Sequence, residues 1–157
     1  MTRGKHYALL ILTLCIYYCV FASTELKRVQ FRYYTDNELT RFPEYFTGKE
    51  YTGTRLFCRS CSQKEGLYFS FPINKKLSNL SSDSIIRLSI IRLGKTEVER
   101  FTFKLPDERK GKKDLFLGLT GKDWPSADTR PIAWQIEILD SSDQLLFLKK
   151  SFLWEHD

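Results

Sequence analysis

Pro131-Ile132-Ala133-Trp134-Gln135-Ile136-Glu137-Ile138-Leu139-Asp140-Ser141-Ser142-Asp143-Gln144-Leu145-Leu146-Phe147-Leu148-Lys149-Lys150-Ser151-Phe152-Leu153-Trp154 is the stretch that decides the fold class. Ile132, Trp134, Ile136 and Ile138 fall on alternate positions, separated by Ala133 and the polar Gln135 and Glu137. A period of two is that of a strand with one buried face. Asp140 to Asp143 are turn formers, because their short side chains bond to nearby backbone. A second apolar and aromatic run follows. Two such runs joined by a short polar turn predict a β-hairpin.

Working outward, other strands fit the same pattern. Val29, Phe31 and Tyr33 alternate with Gln30 and Arg32, which face water. Leu67, Phe69, Phe71 and Ile73 alternate up to Pro72, which lacks a ladder donor and marks a strand end or edge. Ser84 to Leu93 directs Ile86, Leu88 and Ile90 inward. A bulge near Ile90 is expected, because unbroken alternation would bury Arg92. Gly94-Lys95-Thr96 turns the chain into Glu97 to Leu105, with Phe101, Phe103 and Leu105 on one face. Leu115 to Leu119 is a further short strand. No segment has a sustained helical period, so the pairing is expected to be mostly antiparallel. About seven short strands separated by turn signals predict an all-β, immunoglobulin-like sandwich. Ile132, Trp134, Ile136, Ile138, Phe101, Phe103, Phe69 and Leu88 are its expected core. Trp134-x-Ile136-x-Ile138-Leu139-Asp140 followed by Asp143-x-Leu145 resembles the last hairpin of bacterial extracytoplasmic immunoglobulin-like modules. Those modules often place Gly in this turn, where this chain has Ser142-Asp143. The resemblance implies a fold and no functional residue.

Arg3 and Lys5, the apolar run Tyr7 to Phe21 and Val20-Phe21-Ala22 have the form of a secretory signal peptide, residues 1–22. The run is shorter than the ~20 apolar residues that span a bilayer. A secreted or periplasmic protein without a stable membrane span is expected, an uncleaved anchor being the alternative. Removing 22 residues from the 157 leaves 135, read as one domain, 23–157. The formal charge of +6 falls to +4 without Arg3 and Lys5. An exported, mildly basic chain is expected to meet a protein or glycan of the envelope and no nucleic acid.

Residues 36–65 read as an irregular flap, interrupted by Asn37, Pro43, Gly48 and Gly53. A helical turn over Asp36 to Arg41, capped by Asp36 or Asn37, and a brief strand over Thr54 to Phe57 fit within it. Phe42, Tyr45, Phe46 and Tyr51 lie between. They are either ligand-binding or tucked against the sandwich edge, and the tucked arrangement is the expected one. Cys58-Arg59-Ser60-Cys61 holds the two cysteines left after Cys15 and Cys19 leave with the signal. In an oxidising compartment a Cys58–Cys61 disulfide ranks first. A metal shared between two chains ranks second and a redox pair third, since no helix start supports a thiolate.

The remaining candidates are few. Trp124, in Asp123-Trp124-Pro125, could stack on a sugar or plug the end of the sandwich, and the plug is expected. Arg109, Lys110, Lys112 and Lys113 form a basic loop able to touch an anion. Asn79-Leu80-Ser81 matches a glycosylation acceptor. The carboxylate pairs Glu97/Glu99, Asp107/Glu108 and Asp140/Asp143 sit in turns or on outward positions. With His6 removed, His156 is the last histidine, and no Ser-His-Asp or Cys-His arrangement forms without that terminal residue. An exported, non-catalytic binding or structural module without cofactor is therefore expected. The alternatives are a carbohydrate-binding module using loop aromatics and a small CxxC thiol or metal protein.

Overall fold

A computed structural model describes residues 24–26 and 28–154. Residues 1–22, where a signal peptide is expected, and His156 lie outside these described residues. The chain is an all-β sandwich. One sheet holds β1 (Thr24–Glu25), β9 (Leu145–Lys150), β8 (Pro131–Leu139), β5 (Ile85–Arg92) and β6 (Glu99–Lys104), in that order. The other holds β2 (Gln30–Tyr34), β4 (Gly66–Pro72), β7 (Asp114–Thr120) and β3 (Arg55–Arg59). Three short helices, α1 (Asp36–Leu39), α2 (Phe42–Thr47) and α3 (Lys75–Ser78), lie in the connections.

The β8–β9 hairpin forms as the sequence predicts. Trp134, Ile136 and Ile138 are buried and stand opposite Ile90, Leu88 and Ile86 of β5. Side chains of directly opposed residues touch, so each pair buries both members at once. In the turn, Asp140 Oδ1 accepts from the Ser142 and Gln144 backbone N–H groups at 2.8 and 2.9 Å. Asp143 takes the left-handed conformation, φ 58°. An Asp tolerates that region better than most residues, so the turn closes here without Gly.

The expected core needs one correction. Ile132 is 37% exposed. Arg92 pairs with Pro131 while Ile91 pairs with Ala133, so Ile132 is the extra residue of a bulge and leaves the inner face. The bulge thus falls between Ile91 and Arg92, at the end of β5. Phe101 is half-buried and packs against the core, while Phe103, Phe69 and Leu88 are within it. Phe31 is 45% exposed, because β2 is an edge strand.

Most strand pairs are antiparallel, yet β1 runs parallel to β9 and β3 parallel to β7. The crossover from β3 to β7 passes through strands of both sheets, so no helix is needed for it. β3 and β6, one edge from each sheet, approach on one side of the sandwich. There Cys58 Sγ lies 3.8 Å from the Lys104 carbonyl oxygen.

The flap is more regular than its sequence suggests. Thr35, and not Asp36 or Asn37, caps α1, and its N–H donates to Glu38 at 2.9 Å. Leu39 from α1 packs on Tyr68 and Phe116, with Tyr34 and Phe57 around them. This second cluster covers the outer face of the four-stranded sheet, which is why Leu115 to Thr120 are buried on both faces. Gly118 permits the cover: a Cβ there would come within 2.5 Å of the Tyr68 ring.

Candidate binding site

The Phe42–Thr47 helix carries the candidate surface. Pro43 occupies its first turn, where a missing N–H costs nothing. The Glu44 carboxylate reaches back to the Arg41 N–H at 3.0 Å. Gly48, at φ 63°, ends the helix with its N–H on the Glu44 carbonyl at 2.9 Å. That left-handed position suits a residue without Cβ.

Glu44 is also the helix's anchor. It is buried, and Lys64 Nζ lies 2.5 Å from its carboxylate. The hydrogen bond from Lys64 is the largest influence holding the Glu44 pKa below the usual carboxylate value; the Arg41 and Tyr51 backbone donors add to it against burial. Beneath, Arg59 pairs with Glu50 and donates to the Tyr68 hydroxyl at 2.8 Å. That hydroxyl donates to the Lys64 carbonyl at 2.6 Å. The flap is therefore fixed through charged and polar contacts.

With Glu44 turned inward, its aromatic neighbours face water. Phe42, Tyr45 and Phe46 stand three and four positions apart, on one helix face. They are 75%, 73% and 76% exposed, and Tyr51 is 55% exposed. The Phe42 and Phe46 rings meet edge to face, centroids 5.1 Å apart. The expectation that these aromatics tuck against the sandwich is overturned. The buried Glu44 carboxylate makes the inward contact of this helix.

Beside this helix opens a cleft of about 590 Å3. Lys64 is shared between the two. Tyr33 and Glu65 form one wall, with the phenol donating to the carboxylate at 2.8 Å. Burial, and then the Glu65 hydrogen bond and charge, push the Tyr33 pKa up to about 12. The turn Gly121–Pro125 forms the opposite wall. A Cβ on Gly121 would collide with the Gln63 amide, so this glycine lets the two loops close on each other. Trp124 is fully buried there, with the Arg92 guanidinium 4.3 Å above its ring. Arg92 in turn bonds the Asp123 carbonyl and the Glu99 carboxylate, the latter at 2.7 Å. The Trp124 Nε1–H is buried without an acceptor.

The other sequence candidates scatter. Trp124 plugs the sandwich and offers no ring to solvent. The Cys58–Cys61 disulfide is absent, and both thiols are free. Cys58 points from β3 into the core, where burial pushes its pKa up to about 12. Cys61 lies past the strand end, its Sγ 3.2 Å from Asp123 Oδ2. The intervening turn is held by Thr120, whose hydroxyl accepts from the Cys61 N–H and donates to the Cys61 carbonyl, both at 3.2 Å. That tie directs the two thiols into separate surroundings.

Of the basic loop, Arg109 donates to the Leu80 carbonyl, and Lys112 to Thr52 Oγ1 and the Gly53 carbonyl at 2.8 and 2.9 Å. Lys110 and Lys113 are exposed. Glu99 is paired with Arg92 and Lys95, while Glu97, Asp107 and Glu108 are solvated. Asn79 is exposed. Among the described residues no group of three or more His, Cys, Asp or Glu could hold a metal. The cleft residues Tyr33, Gln63, Glu65 and Lys122 went unmarked in the sequence. They come from three separate segments, and no spacing rule joins them. Compared with protein-family models, curated proteins and solved structures, the chain matches none.

Proposed function

We propose that this chain is an exported, non-catalytic module that binds a partner in the cell envelope or extracellular space through the aromatic face of α2. The carrying observation is that Phe42, Tyr45, Phe46 and Tyr51 are exposed together on a segment fixed from below by buried Glu44. Large aromatics dominate the energetics of binding surfaces, and a fixed presentation lowers the ordering cost of contact. Export is the reading of residues 1–22, and Ser23 is then the first residue of the mature chain. The immunoglobulin-like reading is supported by β9-β8-β5-β6 in one sheet and β2-β4-β7 in the other. In this reading β3 occupies the edge beyond β7.

A carbohydrate-binding module is the second reading. The exposed rings favour it, since a sugar can stack on each, and Trp124 takes no part. The thiol-enzyme alternative draws no support from Cys58, whose buried thiol resists ionisation. The test compares the full exported chain with a Phe42→Ala/Tyr45→Ala/Phe46→Ala/Tyr51→Ala variant. Both are immobilised and exposed to envelope fractions of the producing cell. Retention should fall about tenfold or more in the variant, a loss of ~1.4 kcal/mol. Equal retention by both chains would refute the aromatic face. Mass spectrometry of the exported product should find Ser23 at its start.

A further inference from the structure

We infer that the cleft between Tyr33–Glu65 and Gly121–Pro125 is a subsite for a neutral, polyhydroxylated ligand, namely a sugar unit of a glycan. The inference rests on the binding-module reading and places a second, polar contact beside the aromatic face. The volume of about 590 Å3 lies within the range of small-ligand sites and suits one or two sugar rings. The cleft is open, so a longer chain can pass through it.

Its chemistry points to hydroxyl groups. Sugar hydroxyls donate and accept at neighbouring carbons, so their site needs both kinds of partner close together. Lys122 supplies donors, Glu65 and Asp36 acceptors, and the Gln63 amide both. The fourth charged side chain, Lys64, is already neutralised by Glu44. What remains carries no excess positive charge, which disfavours phosphate, sulfate or uronate ligands. Pro125 and the Tyr33 ring give apolar surface for the C–H face of a sugar. Trp124 backs the wall and is itself held by Arg92, so the cleft keeps its shape without ligand. Lys64 joins the cleft to Glu44 of α2, which makes the two surfaces neighbours.

The experiment is an NMR titration of the folded, isotope-labelled exported chain. Its probes are neutral oligosaccharides of glucose, N-acetylglucosamine, mannose and galactose, with an oligogalacturonate as the anionic comparison. At least one neutral probe should shift the backbone amides of Gln63 to Glu65 and Gly121 to Trp124. Lys122→Ala and Gln63→Ala, both at exposed positions, should each weaken that probe about tenfold without moving the thermal midpoint. Glu65→Gln, which keeps the oxygen facing Tyr33, should weaken it less. Three results would overturn the subsite: no cleft shift with any neutral probe at millimolar concentration, shifts caused by the galacturonate alone, or shifts confined to Phe42–Tyr51. The last would leave the aromatic face standing and remove only the cleft. Loss of the aromatic face in the envelope assay, with cleft shifts retained, would do the reverse.

Discussion

Trp134 is the side chain at which the two sheets meet. It projects from β8 and packs edge to face on Phe69 of β4, ring centroids 5.6 Å apart. Trp134→Ala should cost roughly 3–5 kcal/mol, the usual range for truncating a buried large aromatic. Urea unfolding measures it, and a loss below 1 kcal/mol would contradict the packing. The thiols give a second residue-scale test. In the chain starting at Ser23, Cys61 should react with a thiol reagent in the native state and Cys58 only after unfolding. Trp134 was legible because alternation fixes which face a strand residue takes. Ile132 shared that alternation and still left the core, because a bulge resets the period and no residue type announces its position. The expected disulfide finds no support for a related reason. Two cysteines close in sequence need side chains that converge, and here strand direction and the Thr120 tie decide that they do not.

At the scale of one element, α2 sits on a single ionic anchor. Glu44→Ala removes the partner of Lys64 and the acceptor for Arg41 N–H together. Hydrogen exchange should then quicken across residues 42–51, while Trp134 and the β8–β9 hairpin keep their protection. Gly48→Ala places a Cβ in a left-handed position and should destabilise the helix end by about 1 kcal/mol. Uniform exchange throughout the Glu44→Ala chain would show that the flap and sandwich open as one. The signals for this helix were in the sequence. Pro43, Glu44 and Gly48 are each at home at a helix start or stop, in that order and at that spacing. Read singly, Pro43 and Gly48 are breakers. The outward turn of Phe42, Tyr45 and Phe46 was not legible, because it depends on Lys64, twenty residues further along and on another loop.

For the whole molecule, acid should be the weak side. Glu38 is held below the usual carboxylate pKa of 4.5 chiefly by the Thr35 N–H, and Glu44 chiefly by Lys64. At Glu99 burial pushes upward, and the hydrogen bonds and charges of Lys95 and Arg92 outweigh it, for a net fall. In each case the unfolded chain takes up the proton first. These groups therefore stabilise the fold above pH about 4.5, and their contribution disappears as pH falls through the lower folded values. Thermal midpoints measured from neutral to acid pH should hold and then drop below that point, and the drop should shrink in Glu99→Gln. The all-β class and the hairpin were legible from period and turn chemistry. The order of strands was not, since parallel pairing leaves no mark on a single strand. That order has a consequence for how the chain is made. β3 comes early in the chain, yet its ladder partner among the described residues, β7, ends at Thr120. As the polypeptide emerges from N to C, β3 waits unpaired with β7 until Asp114 and the residues after it have followed. A chain halted before Asp114 should therefore hold β3 without this partner, and limited proteolysis between Arg55 and Arg59 would reveal that edge of the sheet as a late product of synthesis.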